Sequence, residues 1–195
     1  MSNVSSRTYR AEETYSIKTG KWYYEVEIFT AGSIKVGWSN ITPCTIADIS
    51  EDQDSYTYDC SAARKWHMGN DLFGKKCSIG DVIGVMIDLQ DKTISFSLNG
   101  EFLMDSVGSE NAFESINVNK GFVPAFNLAN GQKIKVNFGQ DVNSLRYFTN
   151  CGLQEGYEPF AVNMTKPITF WYSNEIPIFE NVTDSHESLE MIRNK

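Results

Sequence analysis

The chain has 195 residues, with 17 basic and 25 acidic side chains and a formal net charge of −8. A chain of this length buries roughly 70% of its unfolded surface, so a core needs neither metal nor disulfide. A 41% hydrophobic and 13% aromatic content excludes global disorder, and a sequence pI of about 4.8 excludes a general nucleic-acid or anionic-membrane binder.

Met1 to Arg10 is polar, with no apolar core of a signal peptide. Trp22, Tyr24, Val26 and Ile28 then alternate with Tyr23, Glu25 and Glu27, the period of a strand. Ile34, Val36 and Trp38 alternate next, after an Ala31-Gly32 step that reads as a tight reversal with glycine supplying a positive φ. Val82, Ile83, Val85, Met86 and Ile87 are apolar on both faces, which predicts a central strand covered on both sides. That run is far too short to cross a membrane. Ile94, Phe96 and Leu98 precede Asn99-Gly100, a strong hairpin signal. Phe122, Pro124, Phe126 and Leu128 form a strand in which Pro124 belongs at an edge or near a strand start. Ile134, Val136 and Phe138 follow an Asn130-Gly131 turn.

Helix is scarce. Asp141 to Phe148 predicts one or two turns with Asp141 as N-cap and Leu145 and Phe148 facing inward, while 184–195 reads as strand or helix. The pattern is all-β: an antiparallel β-sandwich with long loops and at most one or two short helices. The expected division is an N-terminal extension and first strand region at 1–19, a core sandwich at 20–139, and a C-terminal extension at 140–195 packing on the same domain. Trp22, Tyr24, Val36, Trp38, Val85, Ile87, Phe96, Leu98, Phe126, Val136 and Phe138 are the expected core.

Signals for chemistry are weak. Cys44, Cys60, Cys77 and Cys151 are too far apart for a metal knuckle, and free cytosolic thiols are expected. His67 and His186 are the two histidines, and His67 reads as a loop residue packed by Trp66. There is no phosphate loop, dinucleotide fingerprint, zinc-protease or serine-elbow motif. The Glu51-Asp52-Gln53-Asp54 run lacks the central glycine and helical flanks of a calcium loop. No catalytic residue, metal or cofactor is expected. The sequons at Asn3, Asn40, Asn163 and Asn181 read as chance in an Asn-rich chain. Lys75-Lys76-Cys77-Ser78 resembles a basophilic kinase site, making Ser78 a candidate for phosphorylation.

Three long connections, 39–56, 60–79 and 104–121, are the functional suspects. Charge is segregated among them. Asp48, Glu51, Asp52 and Asp54 occupy the first, Arg64, Lys65, Lys75 and Lys76 the second, and Asp105, Glu110 and Glu114 the third. Such segregation points to contacts with oppositely charged protein surfaces, including basic segments of accessory proteins.

Gly20-Lys21-Trp22-Tyr23-Tyr24-Glu25-Val26-Glu27, Val36-Gly37-Trp38-Ser39 and Gly80-Asp81-Val82-Ile83-Gly84-Val85-Met86-Ile87-Asp88-Leu89 resemble the SPRY domain. So do Leu98-Asn99-Gly100, Phe122-Val123-Pro124-Ala125 and Val136-Asn137-Phe138-Gly139. Tyr147 to Asn163, with Arg64-Lys65-Trp66-His67-Met68-Gly69-Asn70, is similar to the second SPRY domain of ryanodine receptors. That resemblance implies a curved sandwich in the cytosolic shell of a tetrameric calcium-release channel, on the cytosolic side of the sarcoplasmic or endoplasmic reticulum. It implies a non-catalytic scaffolding role, with other cytosolic domains of the channel as partners. The alternative is a free-standing SPRY adaptor that recognises a peptide segment of a partner protein. In either setting the isolated domain is expected to be monomeric, outside the membrane and without a nucleic-acid partner.

Overall fold

The computed structural model describes residues 6–41, 53–164, 170–173, 179–182, 185–186 and 189–191. The first strands are β1 (Ser6–Ala11), β2 (Lys21–Ile28), β3 (Ile34–Asn40), β4 (Ser55–Asp59), β5 (Arg64–Trp66) and β6 (Asn70–Leu72). There follow β7 (Val82–Asp88), β8 (Thr93–Leu98), β9 (Glu101–Phe102), β10 (Asn111–Phe113), β11 (Phe122–Ala129) and β12 (Ile134–Asn137). A one-turn helix, α1 (Phe148–Cys151), precedes β13 (Glu158–Pro159), β14 (Phe170–Ser173), β15 (Phe179–Val182), β16 (Ser185–His186) and β17 (Leu189–Met191).

The strands form two facing sheets. One runs β15-β14-β1-β11-β3-β4-β5-β6. The other runs β10-β8-β7-β2-β12-β17-β16, with β13 beside β2 and β9 beside β8. Pairing is antiparallel except where β17 joins β12 and β13 joins β2. This is the β-sandwich expected from the period-two pattern.

Alternation decides what lies between the sheets. From β2, Tyr24, Val26 and Ile28 enter the core, where they meet Val36 and Trp38 of β3, Ile83, Val85 and Ile87 of β7, Phe96 and Leu98 of β8, Phe126 of β11, Val136 of β12 and Phe138. The Tyr24 ring lies 5.1 Å from Trp38, 5.9 Å from Phe126 and 5.4 Å from Phe138, in edge-on and tilted contacts. Phe160, past the strands read from sequence, closes one end of this cluster against Trp38 and Phe138. Trp22 is the exception among the expected core residues. It is only half-buried, because it lies near the start of β2 where its indole Nε1 donates to the Thr19 carbonyl at 2.7 Å and its ring edge meets Phe160.

β7 is buried along its whole length. Its inner side faces the main core, and its outer side is covered by a second cluster of Tyr23, Met86, Leu145, Phe148, Cys151 and Tyr157. Gly84 is required there. A Cβ at that position would come within 2.3 Å of the Ser97 hydroxyl and 2.9 Å of the Tyr23 hydroxyl.

One turn differs from its sequence reading, and the others keep theirs. Ala31-Gly32 does not close a hairpin: β2 and β3 belong to different sheets, so this step is a corner between layers. Gly32 has no positive φ, and its missing side chain instead makes room for Gln132, whose amide would lie 2.5 Å from a Cβ. Asn99-Gly100 is a primed hairpin turn, with φ of 51° and 83°, joining β8 to β9. Pro124 lies inside the sheet between β1 and β3 as the third residue of β11, one position past the last β1 rung. Asp141 caps a 3-10 turn at Val142–Ser144 by accepting from the Asn143 N–H at 3.0 Å, and Leu145 and Phe148 are buried. Within 184–195 the described residues are strand, β16 and β17.

Candidate functional site

The connections at 60–79 and 104–121 are not plain loops. The first folds into the β5–β6 hairpin at one edge of its sheet, and the second carries β10 at the edge of the other. A cleft of about 280 Å³ separates them, lined by Tyr56, Lys65, His67, Gly69, Asp71, Ala112, Phe113, Glu114 and Ser115. The strand registers place Tyr56 and His67 side by side, since Thr57 pairs with Trp66. Their rings stack at 4.1 Å and 12°, and Phe113 meets Tyr56 edge-on at 5.3 Å. His67 is thus packed by Tyr56 rather than Trp66, because neighbours along a strand point to opposite faces. His67 Nδ1 lies 3.0 Å from the Ser55 carbonyl, which can only accept, so that nitrogen carries the proton. Burial pushes the Tyr56 phenol up, so it stays un-ionised.

Lys65 ties the two walls together. Its Nζ donates to the Ala112 carbonyl at 2.7 Å and lies 5.7 Å from the ring centres of Phe73 and Phe113. Asp71 and Glu114 stand exposed at the rim, and Glu114 accepts from the Asn111 amide at 3.1 Å. The ligating and nucleophilic possibilities are poor. The lining holds no thiol, the His67 ring bonds a backbone carbonyl rather than an acid, and no group of metal ligands occurs among the described residues.

The charged residues singled out from sequence scatter. Only Lys65 and Glu114 reach the cleft. Asp48, Glu51 and Asp52 lie outside the described residues. Asp54 is buried and accepts from Lys120 Nζ at 3.1 Å, which removes it from any exposed partner surface. Arg64 points to the opposite face of β5, donating to Asn70 Oδ1 at 2.5 Å. Lys75 pairs with Glu101 at 3.0 Å in the open, where such a pair contributes little. Lys76 and Glu110 are simply exposed.

Asp105 organises its own loop. Its Oδ1 accepts from the Ser109 and Val107 N–H groups, each at 2.9 Å, and these bonds hold its carboxyl below the usual range. Ser78 is exposed, but its N–H donates to Asp81 Oδ2 at 2.7 Å, so a phosphate there would sit beside a carboxylate.

Sequence reasoning missed Tyr56, His67, Asp71 and Phe113 as one group. Asp71 lies in the connection singled out for its basic residues Arg64, Lys65, Lys75 and Lys76. The signal that finds the aromatic pair is register: Tyr56 and His67 flank a hairpin at matching positions.

Charge is also buried on the outer face of β2. Glu25 accepts from the Tyr23 hydroxyl at 2.9 Å and from the N–H groups of Arg146 and Tyr147 at 2.8 and 2.7 Å. Burial nevertheless outweighs these bonds and raises its pKa. Arg146 also pairs with Glu27 at 3.0 Å. The segment that begins at Leu145 is therefore fastened to the sheet by a carboxylate as well as by Phe148.

This two-sheet frame, with its Asn99-Gly100 hairpin and glycine-bearing central strand, coincides with a family pattern: residues 21–141 match the SPRY domain model. The chain belongs to the SPRY domain family. SPRY domains are protein-interaction modules. The domain is 33% identical over 124 residues to the E3 ubiquitin-protein ligase RKP of Arabidopsis thaliana, covering 62% of this chain and 9% of the ligase. It is 27% identical over 128 residues to the ATP-dependent RNA helicase DDX1 of Xenopus laevis, covering 66% of this chain and 16% of the helicase. The SPRY domain here thus spans a small part of both relatives. Among the described residues no helix is long and apolar enough to cross a membrane.

Proposed function

We propose that this SPRY domain is a non-catalytic recognition module that takes a peptide segment of a partner protein in the cleft between β5–β6 and β10. The observation that carries this reading is the cleft's composition. An aromatic floor of Tyr56, His67 and Phe113 supplies contact area at low entropic cost, and Lys65, Asp71 and Glu114 supply orientation. Peptides selected from a random phage library against the folded chain test it. Charge reversal at exposed Glu114 (Glu114→Lys) should weaken the selected peptides by about tenfold or more. The same change at exposed Glu13, far along the chain, should leave them unaffected. Equal binding by both variants would sink the assignment of the cleft.

A second reading rests on the resemblance of Tyr147–Asn163 to ryanodine receptors. In it, the module is one piece of the cytosolic shell of a tetrameric calcium-release channel of the reticulum and supports assembly and gating through contacts with neighbouring domains. The support is the likeness of that segment, which here packs Phe148, Cys151 and Tyr157 on the outer face of β2 and β7. An antibody to the domain decides between the settings. The channel reading expects a very large polypeptide in the reticulum membrane fraction; a soluble adaptor of modest size would contradict it.

A further inference from the structure

β6 ends the eight-stranded sheet, and among the described residues no strand lies on its far side. All three of its residues are exposed. The hairpin's hydrogen bonds fix which of its backbone groups are spent. His67 N–H donates to the Gly69 carbonyl at 3.0 Å and Phe73 N–H donates to the Ala63 carbonyl at 3.1 Å. Bonded and non-bonded pairs alternate in an antiparallel ladder. Lys65 and Asp71 are therefore a bonded pair, and Asn70 and Leu72 direct their N–H and C=O groups off the edge of the sheet.

The side chains beside that edge also alternate. Asp71 faces the cleft, with Glu114 across it. Asn70 and Leu72 lie on the other face, as the Arg64–Asn70 bond shows, and Leu72 is 69% exposed. The lysine of the cleft lining, Lys65, is already held by the Ala112 carbonyl. The rim facing the open edge is thus left with two carboxylates.

We infer that the partner segment adds to β6 as an extra strand, its backbone bonded to Asn70 and Leu72, with a lysine or arginine turned to Asp71 and Glu114 and an apolar side chain turned to Leu72. The recognised chemistry is an extended segment in which basic and apolar residues alternate. Main-chain bonds of this kind supply affinity, and the alternate side chains supply choice. The inference rests on the proposed recognition of a peptide in this cleft and specifies how the peptide lies.

The test uses the library-selected peptides and the whole chain. Amide hydrogen exchange should slow by about tenfold or more at Asn70 and Leu72 when peptide binds, with Asp71, already bonded, changing little. Peptides re-synthesised with single N-methyl groups should lose binding at every second backbone position along the paired stretch. If Glu114→Lys abolishes binding while Asn70 and Leu72 stay unprotected and N-methylation shows no alternation, strand addition is overturned and the cleft assignment stands. If no peptide is selected, or binding ignores Glu114→Lys, both fall.

Discussion

Trp38 offers a test of the sandwich with two contrasting outcomes. It is fully buried, 5.1 Å from Tyr24 and 5.7 Å from Phe160, and its indole Nε1 has no hydrogen-bond partner among the described residues. Trp38→Ala removes the whole ring and should cost about 3–5 kcal/mol. Trp38→Phe removes roughly 40 Å³, worth about 1 kcal/mol of cavity and about 1 kcal/mol of lost burial. It also deletes a buried, unpaired donor, whose burial costs about 1–3 kcal/mol. The phenylalanine variant should therefore fall within about 1 kcal/mol of the parent. Denaturation followed by far-ultraviolet circular dichroism is the assay, because fluorescence would change with the tryptophan itself. At about 2–4 °C per kcal/mol for a chain of this size, alanine should lower Tm by roughly 6–20 °C and phenylalanine by only a few degrees. A phenylalanine variant as damaged as alanine would refute the orphan-donor reasoning. An alanine variant with the parent's Tm would refute the facing of β3.

The remaining predictions concern buried charge, close packing and thiols. Because the folded pKa of Glu25 is raised, its favourable contribution is fully present below the unfolded value and is lost as pH rises through the folded one. The stability of the parent minus that of Glu25→Gln should fall as pH rises above the ordinary carboxylate range, and a difference that grows instead would contradict the dominance of burial. Gly84→Ala should destabilise by about 1–3 kcal/mol, read by chemical denaturation, since its methyl group meets Ser97 and Tyr23; a neutral result would show that the second cluster yields. Cys60 and Cys151 are buried. The Cys77 thiol is pushed up first by its hydrogen bond with Cys60 and then by burial. Alkylation should therefore be slow at these three in the folded protein and reach all four cysteines on unfolding without reductant; fewer than four reactive thiols would reveal a disulfide.

The faces of the long strands were legible because burial imposes a period of two. Tyr24, Val36, Phe96 and Val136 all lie inward, and the doubly apolar Val82–Ile87 run is the strand with a cluster on each side. Adjacency in the sheets was not legible. The Ala31-Gly32 corner sends β2 and β3 into different layers, a choice made by packing rather than by the turn residues. Charge was legible only as composition. Asp54 looked like part of an acidic surface, yet strand β4 begins beside it and carries it under Lys120. The cleft stayed hidden for a related reason. β5, β6 and β10 have three residues each, too few to show a period, and the Tyr56–His67 stack depends on a register between separate strands.

The central claim is that the cleft between β5–β6 and β10 is the recognition surface of this SPRY domain. The most direct measurement is a map of backbone amide chemical shifts of the whole chain as a selected peptide is added. The expected result is a set of changes confined to Tyr56, Lys65, His67, Asn70–Leu72 and Ala112–Ser115. Changes confined instead to the Glu25–Arg146 face, with the cleft silent, would contradict it.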